Sequence, residues 1–187
     1  IQIRNTQHYQ DNFADGSGVV GTFAARTAGA HGNTLLVSTC PSATAYEEEG
    51  ATTVNDASTA VGDTVVVTAS GAALNVGDII SFSTTAATND YDDGEQYRVT
   101  NISTNDITIV QHPRGTGGLK RALTDGCNIR RRWKYYDSVD GAPGTSPFVS
   151  NRNGANDEIH VVVIDEDGGI SGVPGTVLEA FSNLSKA

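Results

Sequence analysis

Between Val54 and Val139, apolar and β-branched residues recur at every second position and are punctuated by Gly, Asn and Asp. A chain with this period lays its side chains alternately on two faces, so it folds into short half-buried strands and not into helices. Thr64–Thr68 is β-branched throughout, Ile80 and Phe82 share one face of Asp78–Ser83, and Tyr97 and Val99 share one face of Gln96–Ile102. Ser103–Asp106 reads as a turn before Ile107–Val110, and a last strand is expected over Asn128–Tyr136. Val-Gly-Asp occurs at Val61 and again at Val76, each time just ahead of a strand. That reads as a repeated turn, with Gly supplying the permissive backbone and Asp a side chain to bond it.

The flanks differ. A short helix is expected around Val19–Arg26, broken by Gly29, Gly32 and Asn33, and followed by a strand at Thr34–Thr39. Beyond the Gly141–Thr145 linker, Ile159–Ile164 is almost continuously apolar, as a strand covered on both faces is. After an acidic turn at Asp165–Gly169, Pro174 or Thr176 opens a predicted helix with Val177, Leu178, Phe181 and Leu184 on one stripe. The expected fold is therefore α+β and mostly β. A small antiparallel β-barrel or sandwich (residues 46–140) is inserted into an incomplete α/β shell domain formed by residues 1–45 and 141–187. The hydrophobic share of 37% and the 21 glycines agree with many short strands joined by turns. The chain opens at Ile1 and contains no Met, which is the pattern expected of a fragment or processed product.

Chemistry-bearing patterns are few. Gly16–Gly21 spells G-x-G-x-x-G, but no hydrophobic strand precedes it to present a phosphate to a helix N-terminus. Asp90–Gly94 and Asp165–Gly168 lack the ligand spacing of a calcium loop. His8, His31, His112 and His160 form no metal pair, Cys40 and Cys127 belong to no C-x-x-C, and no G-x-S-x-G elbow is present. No enzyme, cofactor or metal site is expected. The two cysteines read as buried thiols. A net charge of −10 argues against nucleic-acid binding, and no apolar run reaches the length of a membrane span.

The charge is uneven. Arg114, Lys120, Arg121, Arg130, Arg131, Arg132 and Lys134 fall in one stretch, while acid runs lie at Glu47–Glu49, Asp90–Asp93 and Asp165–Asp167. On a strand, Arg130, Arg132 and Lys134 form an outer face, and Arg131, Trp133 and Tyr135 a core face with one Arg paired to an acid. Arg130, Arg132 and Lys134 with Asp165, Glu166 and Asp167 are the candidate contacts between identical copies. A surface β-module of an adhesin or carbohydrate binder is the alternative, with Trp133 and the tyrosines as its aromatic platform. A hydrolase on a β-scaffold is a third.

Two segments carry a family resemblance. Phe23-Ala24-Ala25-Arg26-Thr27-Ala28-Gly29-Ala30-His31-Gly32-Asn33-Thr34-Leu35-Leu36-Val37 resembles the F-A-A-[KR]-x-P-G-x-x-G-N-x-L-x-V stretch of tail sheath proteins of contractile-tail bacteriophages, departing at Ala28 where that family often has Pro. Asn156–Asp165, Gly168–Ile170, Val177–Glu179 and Leu184–Ala187 together are similar to a second sheath segment, in which a buried strand, an acidic-glycine turn and a short helix follow one another. The resemblance implies a structural subunit of the sheath around a phage tail tube, assembled in the host bacterial cytoplasm and carried in the virion. It implies as partners other copies of the chain, the tube protein, and the baseplate and tail terminator proteins.

Overall fold

The computed structural model describes residues 30–186 together with residue 7. The expected helix at Val19–Arg26 and the glycine motif at Gly16–Gly21 lie outside the described residues. Among the described residues the protein is mostly β, and every strand pairing is antiparallel. It divides into two compact units, one being Thr44–Lys134, the other drawn from the chain before and after it.

The Thr44–Lys134 unit is a six-stranded sheet in the order β2-β7-β4-β5-β6-β3. Its strands are β2 (Glu47–Thr53), β3 (Val65–Val67), β4 (Ile79–Ala86), β5 (Tyr91–Ser103), β6 (Asp106–Gln111) and β7 (Cys127–Arg132). The ladder does not close into a barrel. Its outer strands meet only at the Val54–Thr68 bridge, where Asn55 N–H donates to Val67 O and Ala69 N–H to Thr53 O, both at 2.9 Å. Ile80, Phe82, Tyr97, Val99, Ile107, Ile109 and Ile129 fill the core, with the Phe82 and Tyr97 rings 5.5 Å apart and tilted by 59°.

The two Val-Gly-Asp turns are built alike. Gly62 and Gly77 take φ of +94° and +99°, a conformation a side chain would strain. The Asp63 carboxylate accepts from Ala60 N–H at 2.6 Å, and that of Asp78 from Asn75 N–H at 2.8 Å. Each turn then docks on a neighbouring segment by the same pair of bonds. Gly62 N–H donates to Leu119 O while Leu119 N–H donates to Asp63 O; Gly77 and Asp78 do the same with Val99.

The other unit holds a three-stranded sheet, β1 (Leu35–Cys40), β8 (Glu158–Asp165) and β9 (Thr176–Ser185), with β8 in the middle. β1 pairs from Leu35 opposite Asp165 to Cys40 opposite His160. The expected helix from Pro174 or Thr176 is instead the strand β9. Two irregularities in its pairing with β8 explain the helix-like spacing. Val177 faces Ile164 and Glu179 faces Val163, so Leu178 is extra; a second slip separates Phe181 opposite Val161 from Leu184 opposite Ile159. Each added residue shifts the period-two pattern by one, and the apolar positions drift to helical intervals. The sheet is therefore antiparallel and lacks the α/β character expected of it.

The Gly141–Thr145 segment is pinned to β8 and does not act as a loose linker. Gly144 N–H donates to the Glu158 carboxylate at 2.9 Å, and Glu158 N–H returns a bond to Gly144 O. His160 is fully buried; its Nε2 lies 2.7 Å from Gly141 O and its Nδ1 accepts Asn183 N–H at 3.0 Å. Asn183 has a φ of +54°, at the second slip of β9. One imidazole thus joins three segments, which fixes its tautomer with the proton on Nε2. Replacing it (His160→Ala) removes both bonds, strands a buried N–H and leaves a void. The expected loss is about 2–4 kcal/mol, read as faster hydrogen exchange across β8 and β9.

Candidate assembly surface

Strand β7 carries the arginine row, and the antiparallel register decides what that row does. β2 places Glu47 opposite Arg132 and Glu48 opposite Arg131, so the first acid run is the cross-strand partner of the basic strip. Arg131 Nη2 donates to Glu48 at 3.0 Å and to Thr44 O at 2.9 Å, and its Nη1 lies 4.0 Å from the Asp78 carboxylate. Arg132 pairs with Glu47 through Nε. Arg121, from the loop before β7, pairs with Glu95 at 3.1 Å and donates to the carbonyls of Phe82 and Ser83. Arg131 accordingly takes the expected role of the inward arginine matched to acids.

Arg130 departs from its expected place on the outer face. It is only 7% exposed, with its guanidinium 4.6 Å from the centre of the Tyr91 ring and Nη2 3.5 Å from Ser81 Oγ. Tyr91 comes from β5, two strands away in the sheet, and covers a position that alternation alone assigns to solvent. Burial, with the nearby Arg132 charge adding to it, pulls the Arg130 guanidinium below its usual pKa. Burial likewise pushes the Asp78 carboxyl up, against the opposing pull of Asn75 N–H and Arg131. Lys134 stays exposed, its stem passing close to Gly77.

The acidic turn splits in the same way. Asp165 is fully buried at the end of β8, where its Oδ2 accepts Ile170 N–H at 2.9 Å, Ser171 N–H at 2.6 Å and Ser171 Oγ at 2.8 Å. Asp165 is therefore the organiser of the β8–β9 loop and is not available as a surface contact; the reason is that backbone N–H groups in a tight loop need an acceptor. Glu166 and Asp167 are exposed, without a cation partner among the described residues. Of the six candidate contacts, Glu166, Asp167 and Lys134 remain exposed, Arg132 is bound to Glu47, and Arg130 and Asp165 are buried.

The aromatic residues offer no exposed platform at β7, since Trp133 and Tyr135 are buried. Cys40 and Cys127 are buried and are not joined to each other by a disulfide. Among the described residues no group of three potential metal ligands gathers, and no helix is long and apolar enough to cross a membrane. Sequence reasoning missed the surface that does concentrate unmatched positive charge. Arg98, Arg114 and Lys120 are exposed and have no carboxylate partner among the described residues. Arg114 and Lys120 line an open groove of about 460 Å³ with Gly94, Gln111, His112 and Pro113. Compared with known proteins, the chain matches no family model, no curated protein and no solved structure.

Two outcomes test these assignments. Removing Arg131 (Arg131→Ala) leaves the buried Asp78 without its countercharge and costs roughly 3 kcal/mol in urea unfolding; adding Asp78→Asn to that variant restores part of the loss. For Asp165, burial alone raises the pKa, but the Ser171 N–H and hydroxyl, then Ile170 N–H and the Thr34 side chain, outweigh it and bring it down to about 2. A depressed folded pKa stabilises fully above the unfolded value, near 4, and the contribution is lost as pH falls through about 2. Thermal melts of Asp165→Asn between these limits should show a flatter acid limb than the parent chain.

Proposed function

We propose that this chain is part of a structural subunit of a contractile phage tail sheath, which assembles helically around the tail tube and contracts to drive genome ejection. What supports the reading is that the two sheath-like segments, distant in sequence, meet in one sheet. Leu35, Leu36 and Val37 of the first lie opposite Asp165, Ile164 and Val163 of the second. Residues that resemble one family at both ends of a long intervening segment, and that pair strand to strand, behave as two halves of one element. On this reading the β1-β8-β9 sheet belongs to the shell, and the Thr44–Lys134 unit is a barrel-like domain inserted into it.

The chemistry of the described residues fits a structural role. Buried and half-buried charges are engaged in holding loops and strands, as Asp165, Arg131 and Arg132 show. The partners implied are further copies of the chain, the tube protein, and the baseplate and tail terminator proteins. A sheath stores a metastable arrangement that relaxes when triggered, so its subunits must keep their internal packing while exchanging contacts with neighbours. Negative-stain electron microscopy of the purified protein tests the proposal: tubes or stacked rings are expected. Discrete monomers at every salt and protein concentration overturn it.

A further inference from the structure

At the β6 end of the Thr44–Lys134 unit, Arg114 and Lys120 line one groove, with Arg98 near Gly115 beside it, and none of the three has a carboxylate partner among the described residues. We propose that this groove is a carboxylate-binding surface and that its occupant is the Glu166–Asp167 turn of a second copy. The inference rests on the assembly reading above and names a contact for it.

The backbone that carries Arg114 and Lys120 is tied down, and Lys120 is also anchored at its tip. Lys120 N–H donates to the buried Tyr97 hydroxyl at 2.9 Å, and its Nζ reaches Gly94 O at 3.1 Å. The segment from Gln111 to Gly118 folds over on itself: Gln111 N–H donates to Gly117 O, Gly115 N–H to Gln111 O, and the Gln111 side chain to Gly118 O at 2.9 Å. Gly118 is packed so closely on the first Val-Gly-Asp turn that a Cβ there would lie 2.2 Å from Asp63 O. The Arg98 guanidinium sits beside Gly115, 3.9 Å from where its Cβ would be. Three neighbouring acids are engaged by other groups. Glu95 holds Arg121, Asp92 accepts Gly94 N–H at 3.0 Å, and Asp63 closes its own turn. A fixed cationic groove loses little conformational entropy when it captures an anion.

The complementary surface is the β8–β9 loop. Asp165 holds that loop from beneath with three hydrogen bonds, leaving Glu166 and Asp167 adjacent and exposed. Ile170 and Val173, exposed at 50% and 62% in the same loop, supply apolar surface for the contact. A groove on one copy meeting a turn on another joins two different patches: head to tail it propagates in rings or open helices, and made reciprocally it closes a two-fold dimer. In a chain of net charge −10, mutual repulsion keeps copies apart unless a local match of this kind is made.

Sedimentation velocity of the 187-residue chain with two neutralised variants tests the proposal. One carries Arg114→Gln with Lys120→Gln, the other Glu166→Gln with Asp167→Gln. The parent chain is expected to self-associate at about 20 mM salt and to dissociate at about 500 mM, where screening is nearly complete over a few ångströms. Each variant alone should associate at least about tenfold more weakly. Their equimolar mixture retains one intact groove and one intact turn, so it should stop at the heterodimer. A monomeric parent chain at low salt, variants that associate like the parent, or a mixture no different from its components each overturn the contact. Tubes seen by microscopy alongside any of those results would leave the assembly reading standing and remove only this interface. Circular dichroism of both variants establishes that they fold.

Discussion

Burying a polar side chain without partners costs several kcal/mol, and β8 buries two of them completely, His160 and Asp165. Each is bonded to groups from outside its own strand. His160 ties the incoming Gly141 segment and the slip in β9, whereas Asp165 ties the loop that turns β8 into β9. With those bonds in place, an apolar strand sits between β1 and β9 and hydrogen-bonds to both. Without them, the loop that returns β9 to its partner has no acceptor for its crowded N–H groups, and the sheet loses an edge.

The Thr44–Lys134 unit solves its electrostatic problem differently. It collects most of the arginines of the chain, but the fold sets those of β7 against carboxylates, a carbonyl or a tyrosine ring from elsewhere in the unit. The row is thereby converted from a surface feature into internal cross-bracing. What remains outside is a smaller set of cations on a different edge, and an acidic turn on the other unit. Net charge describes neither; only subtracting the internally matched groups exposes the two surfaces.

Much of the fold was legible because alternation is a local property. The strands at Ile80–Phe82, Tyr97–Val99 and Ile107–Ile109 follow it, and both Val-Gly-Asp turns behave as their residue types dictate. The failures have non-local causes. β9 carries helical spacing because its two slips each insert a residue, an irregularity fixed by its partner and invisible in its own sequence. Arg130 is covered by Tyr91, 39 positions earlier in the chain, and the Glu47–Glu49 run looked like an independent surface until β2 was set beside β7. The unmatched cations at Arg98, Arg114 and Lys120 are separated in sequence and gathered only by the β5–β6 pairing and the loop beyond it.

The pairing of β1 with β8 has a consequence for how freely the intervening chain can vary. Cys40 and His160 stand opposite one another, so everything between them is, for that sheet, a single loop. The entropy of closing a loop grows only with the logarithm of its length, about 0.6 kcal/mol for each doubling. Once the strands pay that cost, an intervening segment half or twice as long is nearly as compatible with the same sheet. The interior of the chain can therefore be exchanged, trimmed or enlarged over evolutionary time while the pair that frames it stays constant.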